Sequence, residues 1–479
     1  MVDGYTSLGH VLLLSLGRWL GFDLLAVNML INLSAVCAIV AGLLWRTRTW
    51  HLSVRVVVVA ILLTNTSYIF WFTGGLDGLL YAAVLFWTYL LFEAAERTGR
   101  FGLGLTALLV ALAMARPEGM FIAAAIIAFF WATRAMGRPR TSGWLVWPTV
   151  VLAAIAALVI WRISVYGHPL PNTYYAKASA SRMLEVQSGL TYVWDWVSSI
   201  GGFIVIATPL ALLCGAMNWI RALFVAGLVA IAIFAGGDTH PFGRFMLPVI
   251  PLLALDLGWL LQDGARRIRT MALIVTTLYV ALQAMLVITV ATVTPDFGQR
   301  VAALTTGAWP YRKMTHLPHM PEAAAAMESL DRHLAPDLAV LGTDVGLLAY
   351  ATNRRIRDSQ ALNEPELAHL PKPAGFTNKW GIRRLPELIA EEVPVVYSYF
   401  PLADPWSWQQ IETGALACSN TVVSRLRTVT LITENLTADY DCASVPVAGH
   451  PNRWTNFFVR RDLGTAAFRD LTGVTRSAC

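Results

Sequence analysis

Pro169 to Lys177 reads PLPNTYYAK, a short stretch crowded with groups that bind sugars and phosphates. Asn172, Tyr174 and Tyr175 offer an amide, two hydroxyls and two ring faces to a sugar, and Lys177 offers an ammonium to a phosphate. An interfacial aromatic belt with a snorkelling lysine uses the same residue types, and on these residues alone the two readings stand level. A second such stretch is GGDTHPFGR, Gly236 to Arg244. Asp238 is an acid at the end of an apolar run, a place where ionisable groups are often functional. Arg244 is a second candidate phosphate binder, and an ion pair between the two is the plainer alternative. His240 reads as a loop histidine before it reads as a base. RPEG, Arg116 to Gly119, supplies Arg116 and Glu118, either as ligand groups or as a pair pinning a short helical hairpin. Asp77, after Gly-Gly in GGLDG, reads as a helix cap.

These stretches sit between apolar runs. The chain has 479 residues, 56% hydrophobic and 14% charged, with mean hydropathy +0.56. Soluble domains carry about 25% charged residues, so this composition describes a multi-pass membrane protein. Spans are expected near 23–45, 53–73, 78–95, 101–116, 118–134, 144–163, 201–217, 219–236, 245–262 and 269–292, lengths that suit a hydrocarbon core of about 30 Å. The 8–21 run is short and contains Arg18, so residues 1–22 are expected to hold a helix lying at the membrane interface. Residues 23–294 form the expected bundle. Residues 295–479 are of ordinary polarity, with helical and strand-like pieces, and read as an α/β or α+β domain. The net charge of +6 gives no nucleic-acid signal, because the arginines fall in short loops. The five cysteines form no CxxC pair and no Cys/His cluster, so no metal site is expected.

Every second loop is basic: Arg46, Arg48 and Arg55, then Arg97 and Arg100, then Arg134, Arg138 and Arg140, then Arg221, then Arg266, Arg267 and Arg269. Those loops are expected in the cytoplasm. GGLDG, RPEG, PLPNTYYAK and GGDTHPFGR then share the opposite side of the plasma membrane with the C-terminal domain. Cys418 and Cys442 lie in that domain, where a disulfide or two buried thiols are both open readings.

The motifs occur in an order that resembles GT-C glycosyltransferases using polyprenyl-phosphate sugars, most closely the mycobacterial terminal β-(1→2) arabinofuranosyltransferase group. VDGYTS (Val2–Ser7), TGGLD (Thr73–Asp77), RPEG, PLPNTYYAK, GGDTHPFGRFMLPVIP (Gly236–Pro251) and DVGLLAYATNRRIRD (Asp344–Asp358) carry the resemblance over nearly the whole chain. It implies a mainly α-helical GT-C-like bundle with an extracytoplasmic C-terminal domain. It also implies inverting transfer of a sugar, arabinofuranose first, from a polyprenyl-phosphate donor to a cell-envelope glycan. Lys177 and Arg244 would stabilise the leaving phosphate. Asn172, Tyr174, Tyr175, Arg116, Glu118 and His240 would line the substrate site. No cofactor is required, and a divalent cation is possible. In the family a first span and an acidic outer loop precede the GYTS segment and supply the base. Neither is in this sequence, so the chain as it stands is expected to fold without transferring sugar, with Asp238 or Asp3 as weak substitutes for the base. Other readings are a polyprenyl-phosphate hexose transferase, a non-catalytic membrane partner and a lipid transporter. A transporter should show two related halves, which this sequence does not.

Overall fold

The computed structural model describes residues 3–72, 76–137, 143–199, 201–214, 219–238, 242–293, 320–342, 348, 351–352, 354–358, 361–372, 394–397, 440–449, 454–472 and 474–478. Two compact units emerge, one of residues 1–288 with 371–381 and one of residues 289–370 with 382–479.

The first unit is helical. In chain order it holds α1 (Leu8–Trp19), α2 (Leu24–Arg46), α3 (Leu52–Leu63), α4 (Thr66–Phe72), α5 (Gly78–Thr98), α6 (Leu103–Ala115) and α7 (Pro117–Ala135). There follow α8 (Val146–Tyr166), α9 (Asn172–Lys177), α10 (Arg182–Ser199), α11 (Ala207–Leu213), α12 (Trp219–Phe234), α13 (Ile250–Asp263) and α14 (Arg266–Val293). Six helical stretches are long and apolar enough to cross a bilayer, and two bent pairs, α3 with α4 and α10 with α11, raise that to as many as eight. This is a membrane protein. Its helices are apolar nearly all round, as helices with one face in lipid and one in a core should be. Helix α5 is the central one: Leu79, Ala82, Leu85, Phe86, Tyr89 and Leu90 along it are all buried.

Two of the expected spans are not simple helices. The 53–73 run breaks by 55° between α3 and α4. Asn65 stands at the break and donates to the Tyr279 hydroxyl at 2.6 Å, while Thr66 N–H and Oγ donate to Gln283 Oε1 at 2.8 and 2.7 Å. Side chains of α14 thus satisfy backbone and polar groups that the break releases, as a non-helical turn at membrane depth requires. The 201–217 run yields only a 3-10 turn, Gly202–Ile206, and the seven-residue α11. Its partner α10 escapes a hydropathy reading because Glu185, Gln187 and Asp195 interrupt its apolar face.

The loop arginines do more than mark topology. Arg46 Nε donates to Glu93 at 3.1 Å, and Arg134 Nη1 donates to Glu96 at 2.8 Å with both side chains fully buried. Arg221 pairs with Asp256, which also accepts from Thr208 Oγ at 2.6 Å. Removing one partner of such a pair would leave a buried charge uncompensated.

The second unit holds α15 (Met320–His333), a short α16 (Pro365–Ala368) and six strands: β1 (Val340–Gly342), β2 (Ile356–Asp358), β3 (Val395–Tyr397), β4 (Tyr440–Pro446), β5 (Trp454–Arg460) and β6 (Thr475–Ala478). The strand order is β2-β1-β3-β5-β4-β6. β1 is parallel to β2 and β3; the β3–β5, β5–β4 and β4–β6 pairs are antiparallel. Met327 and Leu330 of α15, with Leu334 just after it, join Val340, Val395, Phe457 and Val459 in one apolar core. Cys418 lies outside the described residues. Cys442 falls in β4, with its side chain outside the described part.

Candidate functional site

Four chain segments bring charge together at one end of the bundle. Asp77 stands just before α5, and Arg116 stands between α6 and α7 with Glu118 in the first turn of α7. Lys177 ends α9. Asp238 and Arg244 flank the loop after α12. Arg116 Nη1 lies 3.3 Å from Asp77 Oδ2, and its Nη2 lies 3.2 Å from Glu118 Oε1. Arg244 Nη2 donates to Asp238 Oδ1 at 3.1 Å, and its Nε lies 2.7 Å from Oδ2. Both arginines are buried. Asp77 holds the cap position of α5, but its carboxylate makes no capping bond and turns to Arg116 instead. The cap expected from sequence is therefore replaced by an ion pair, which outweighs a cap because the arginine is desolvated.

Lys177 differs from its neighbours. Among the described residues no carboxylate lies within ion-pair distance of its ammonium, though Asp238 and Asp77 act on it from further off. Its pKa is lowered from the usual lysine value, first by burial and then by the Arg244 charge. A cation in that state gains from any anion that joins it.

The loop that carries Arg244 is held tightly. Gly237 has φ +75°, and a Cβ there would meet Tyr192 Cβ at 2.5 Å. Gly243 has φ +60°, and a Cβ there would meet Trp196 Cδ1 at 2.5 Å. Tyr192 and Trp196 are one helical turn apart on α10, so this helix forms a rail against which both ends of the loop rest. Phe242 adopts φ +60°, a left-handed conformation that a bulky residue rarely takes, and its ring stacks on Phe70 at 4.6 Å. Strain of this kind persists only where the surroundings enforce it, and it clusters at functional sites.

Other candidates lie elsewhere. Asp3 pairs with Arg162 at 3.2 Å, and both side chains are buried. Burial raises the Asp3 pKa in spite of the arginine. The Asp3 carbonyl accepts from Asn172 N–H at 2.9 Å, and Thr6 Oγ lies 3.3 Å from Thr173 Oγ, so the first residues strap α9 in place. Asp3 and Asp238 are thus each engaged by an arginine, and neither can take a proton without weakening an ion pair. Tyr174 is 43% exposed, while Tyr175 packs on His168 at 5.4 Å. His240 lies outside the described residues. Among those described, no three His, Cys, Asp or Glu side chains form a group that could hold a metal ion.

Sequence reasoning missed Asp77 as an ion-pair partner, and it missed Tyr192 and Phe245, which frame the cluster. It also missed a wholly apolar groove of about 380 Å³ among α5, α7 and α12, walled by Leu85, Phe92, Phe121, Phe129, Trp219, Phe224 and Gly227 with their neighbours.

A family described as a domain of unknown function (DUF8728) matches residues 318–441. No curated protein and no solved structure matches the chain.

Proposed function

We propose that this chain is a membrane glycosyltransferase of GT-C type. It moves a sugar, arabinofuranose in the leading version, from a polyprenyl-phosphate donor to a cell-envelope glycan with inversion. The observation that carries this reading is Lys177, a half-buried ammonium with no ion-pair partner among the described residues, in a cluster with two buried guanidiniums. Six formal charges meet there, three cationic and three anionic. The carboxylates are taken up by the arginines, so the lysine is the group left to receive an anion.

The chemistry follows from that placement. The acceptor hydroxyl loses its proton to a base as its oxygen bonds to the anomeric carbon. The bond from that carbon to the phosphate oxygen breaks, and its electron pair leaves with the lipid phosphate. Lys177, Arg244 and Arg116 would hold the negative charge as it develops, and fixed cations at a water-poor site do this far better than water. The groove among α5, α7 and α12 supports the lipid part of the reading, since a wall without polar groups suits a long hydrocarbon chain. The strap from Asp3 to Asn172 would keep α9, and with it Lys177, at a fixed distance from the donor.

The test is transfer. Purified protein in nanodiscs is given a radiolabelled polyprenyl-phosphoryl arabinofuranose and an oligosaccharide acceptor, and both labelled glycan and freed polyprenyl phosphate are counted. The reading expects the donor to bind and to be displaced by polyprenyl phosphate, and any transfer that occurs to release labelled glycan and freed polyprenyl phosphate in equal amounts. If the donor neither binds nor competes with polyprenyl phosphate, the proposal is wrong.

A further inference from the structure

One aromatic ring lies within cation–π reach of both guanidiniums of the cluster. The Phe245 ring centre lies 4.8 Å from the Arg116 guanidinium carbon and 5.7 Å from that of Arg244. A guanidinium is attracted to a ring face, and more so where water is excluded. Each arginine also has a ring of its own, Tyr81 for Arg116 at 5.5 Å and Trp71 for Arg244 at 5.4 Å. Phe245 is the ring they share. Arg244 is its chain neighbour, whereas Arg116 arrives from the turn between α6 and α7.

The shared ring is itself anchored. The Phe245 N–H donates to the Tyr192 hydroxyl oxygen at 3.0 Å, and the two rings meet edge to face at 6.1 Å. Tyr192 is buried and belongs to α10, the rail on which the Arg244 loop rests. A hydroxyl that accepts from a backbone N–H within the 3-10 turn Arg244–Val249 fixes that turn and not merely a side chain.

We propose that Phe245, fixed by the Tyr192 hydroxyl, is the spacer that sets the separation of Arg116 and Arg244 and so fits the site to one phosphate group. Both are positioning residues; neither touches the reacting atoms. The phosphate in this statement rests on the reading of the cluster given above, while the spacing does not. A ring that merely filled space could be replaced by any side chain of similar volume. A spacer could be replaced only by another ring.

The experiment compares Phe245→Met, Phe245→Tyr and Tyr192→Phe with the unaltered full chain in nanodiscs. Phenylglyoxal adducts at Arg116 and Arg244 are timed by peptide mass spectrometry, farnesyl phosphate affinity is measured by titration, and the melting temperature of each variant is recorded. Phe245→Met and Tyr192→Phe should speed adduct formation at both arginines several-fold and weaken farnesyl phosphate by about tenfold, the loss expected for one desolvated cation–π contact. Phe245→Tyr should keep both values near those of the unaltered chain. Unchanged adduct rates in Phe245→Met overturn the spacer, whether or not the protein binds phosphate. So does a Phe245→Tyr variant that falls as far as Phe245→Met at an unchanged melting temperature. Failure of the unaltered chain to bind farnesyl phosphate refutes the phosphate reading instead, and the adduct rates still judge the spacer.

Discussion

Replacing Lys177 by methionine separates ligand binding from folding more cleanly than any other change in the cluster. No carboxylate pairs with the Lys177 ammonium among the described residues, so its removal orphans no partner. The folded state should lose little, and relief from the Arg244 and Arg116 charges should offset the lost packing. A bound phosphate, by contrast, would lose one charge-assisted hydrogen bond, worth about 1.5–3 kcal/mol. That corresponds to a fall in affinity of roughly tenfold to a hundred-and-fifty-fold. Arg244→Met is the contrasting change. It removes the arginine that pairs with the Asp238 carboxylate, and breaking a buried ion pair costs about 3–5 kcal/mol of stability. The assay is farnesyl phosphate titration with a melting curve on the same nanodisc samples. Lys177→Met should bind weakly and melt normally, and Arg244→Met should bind weakly and melt early. The reasoning fails if Lys177→Met binds as well as the unaltered protein, or if it melts as early as Arg244→Met.

Three further outcomes follow from the same geometry. Because Lys177 gives up its proton below the usual 10.5, phosphate affinity should fall as pH rises while still short of that value; Lys177→Arg stays charged throughout and should move the alkaline loss upward, and an unmoved profile assigns the pH dependence elsewhere. In a cysteine-free background, cysteines at the exposed positions Thr98 and Ala180 should label from opposite sides of sealed vesicles, since α6, α7 and α8 separate them; same-side labelling removes the topology on which the shared site depends. Gly227 lines the apolar groove with open space beyond its α-carbon, so Gly227→Trp should fill the groove and weaken long-chain polyprenyl phosphates much more than a six-carbon alkyl phosphate; equal losses would detach the groove from the ligand.

Residue types and their order carried the cluster's membership. Arg116, Glu118, Lys177, Asp238 and Arg244 were all legible in the sequence as charges at the ends of apolar runs, on one side of an alternating pattern. Charge near hydrocarbon is costly enough that each one asks for a reason. Who pairs with whom was not legible. Asp77 reads locally as a cap, and only the approach of Arg116, 39 residues on, turns it into an ion-pair partner. Tyr192 and Phe245 look like ordinary apolar positions, because their role depends on a helix meeting a turn 53 residues away. Helix α10 was hidden for a related reason. Its polar residues lower its hydropathy, while its buried Tyr192 and Trp196 face the loop and not the lipid. The break after α3 likewise depends on Gln283, more than two hundred residues away in the chain.

The claim that Lys177, Arg116 and Arg244 receive a lipid phosphate is tested most directly by photo-crosslinking with a polyprenyl phosphate that carries a diazirine near its head. The same probe without its phosphate serves as the comparison. The account predicts labelled peptides from the first turn of α7, from α9 and from the C-terminal end of α12, all lost when excess farnesyl phosphate competes and absent with the alcohol probe. Equal labelling by the alcohol, or labels confined to helices remote from these three, would contradict it.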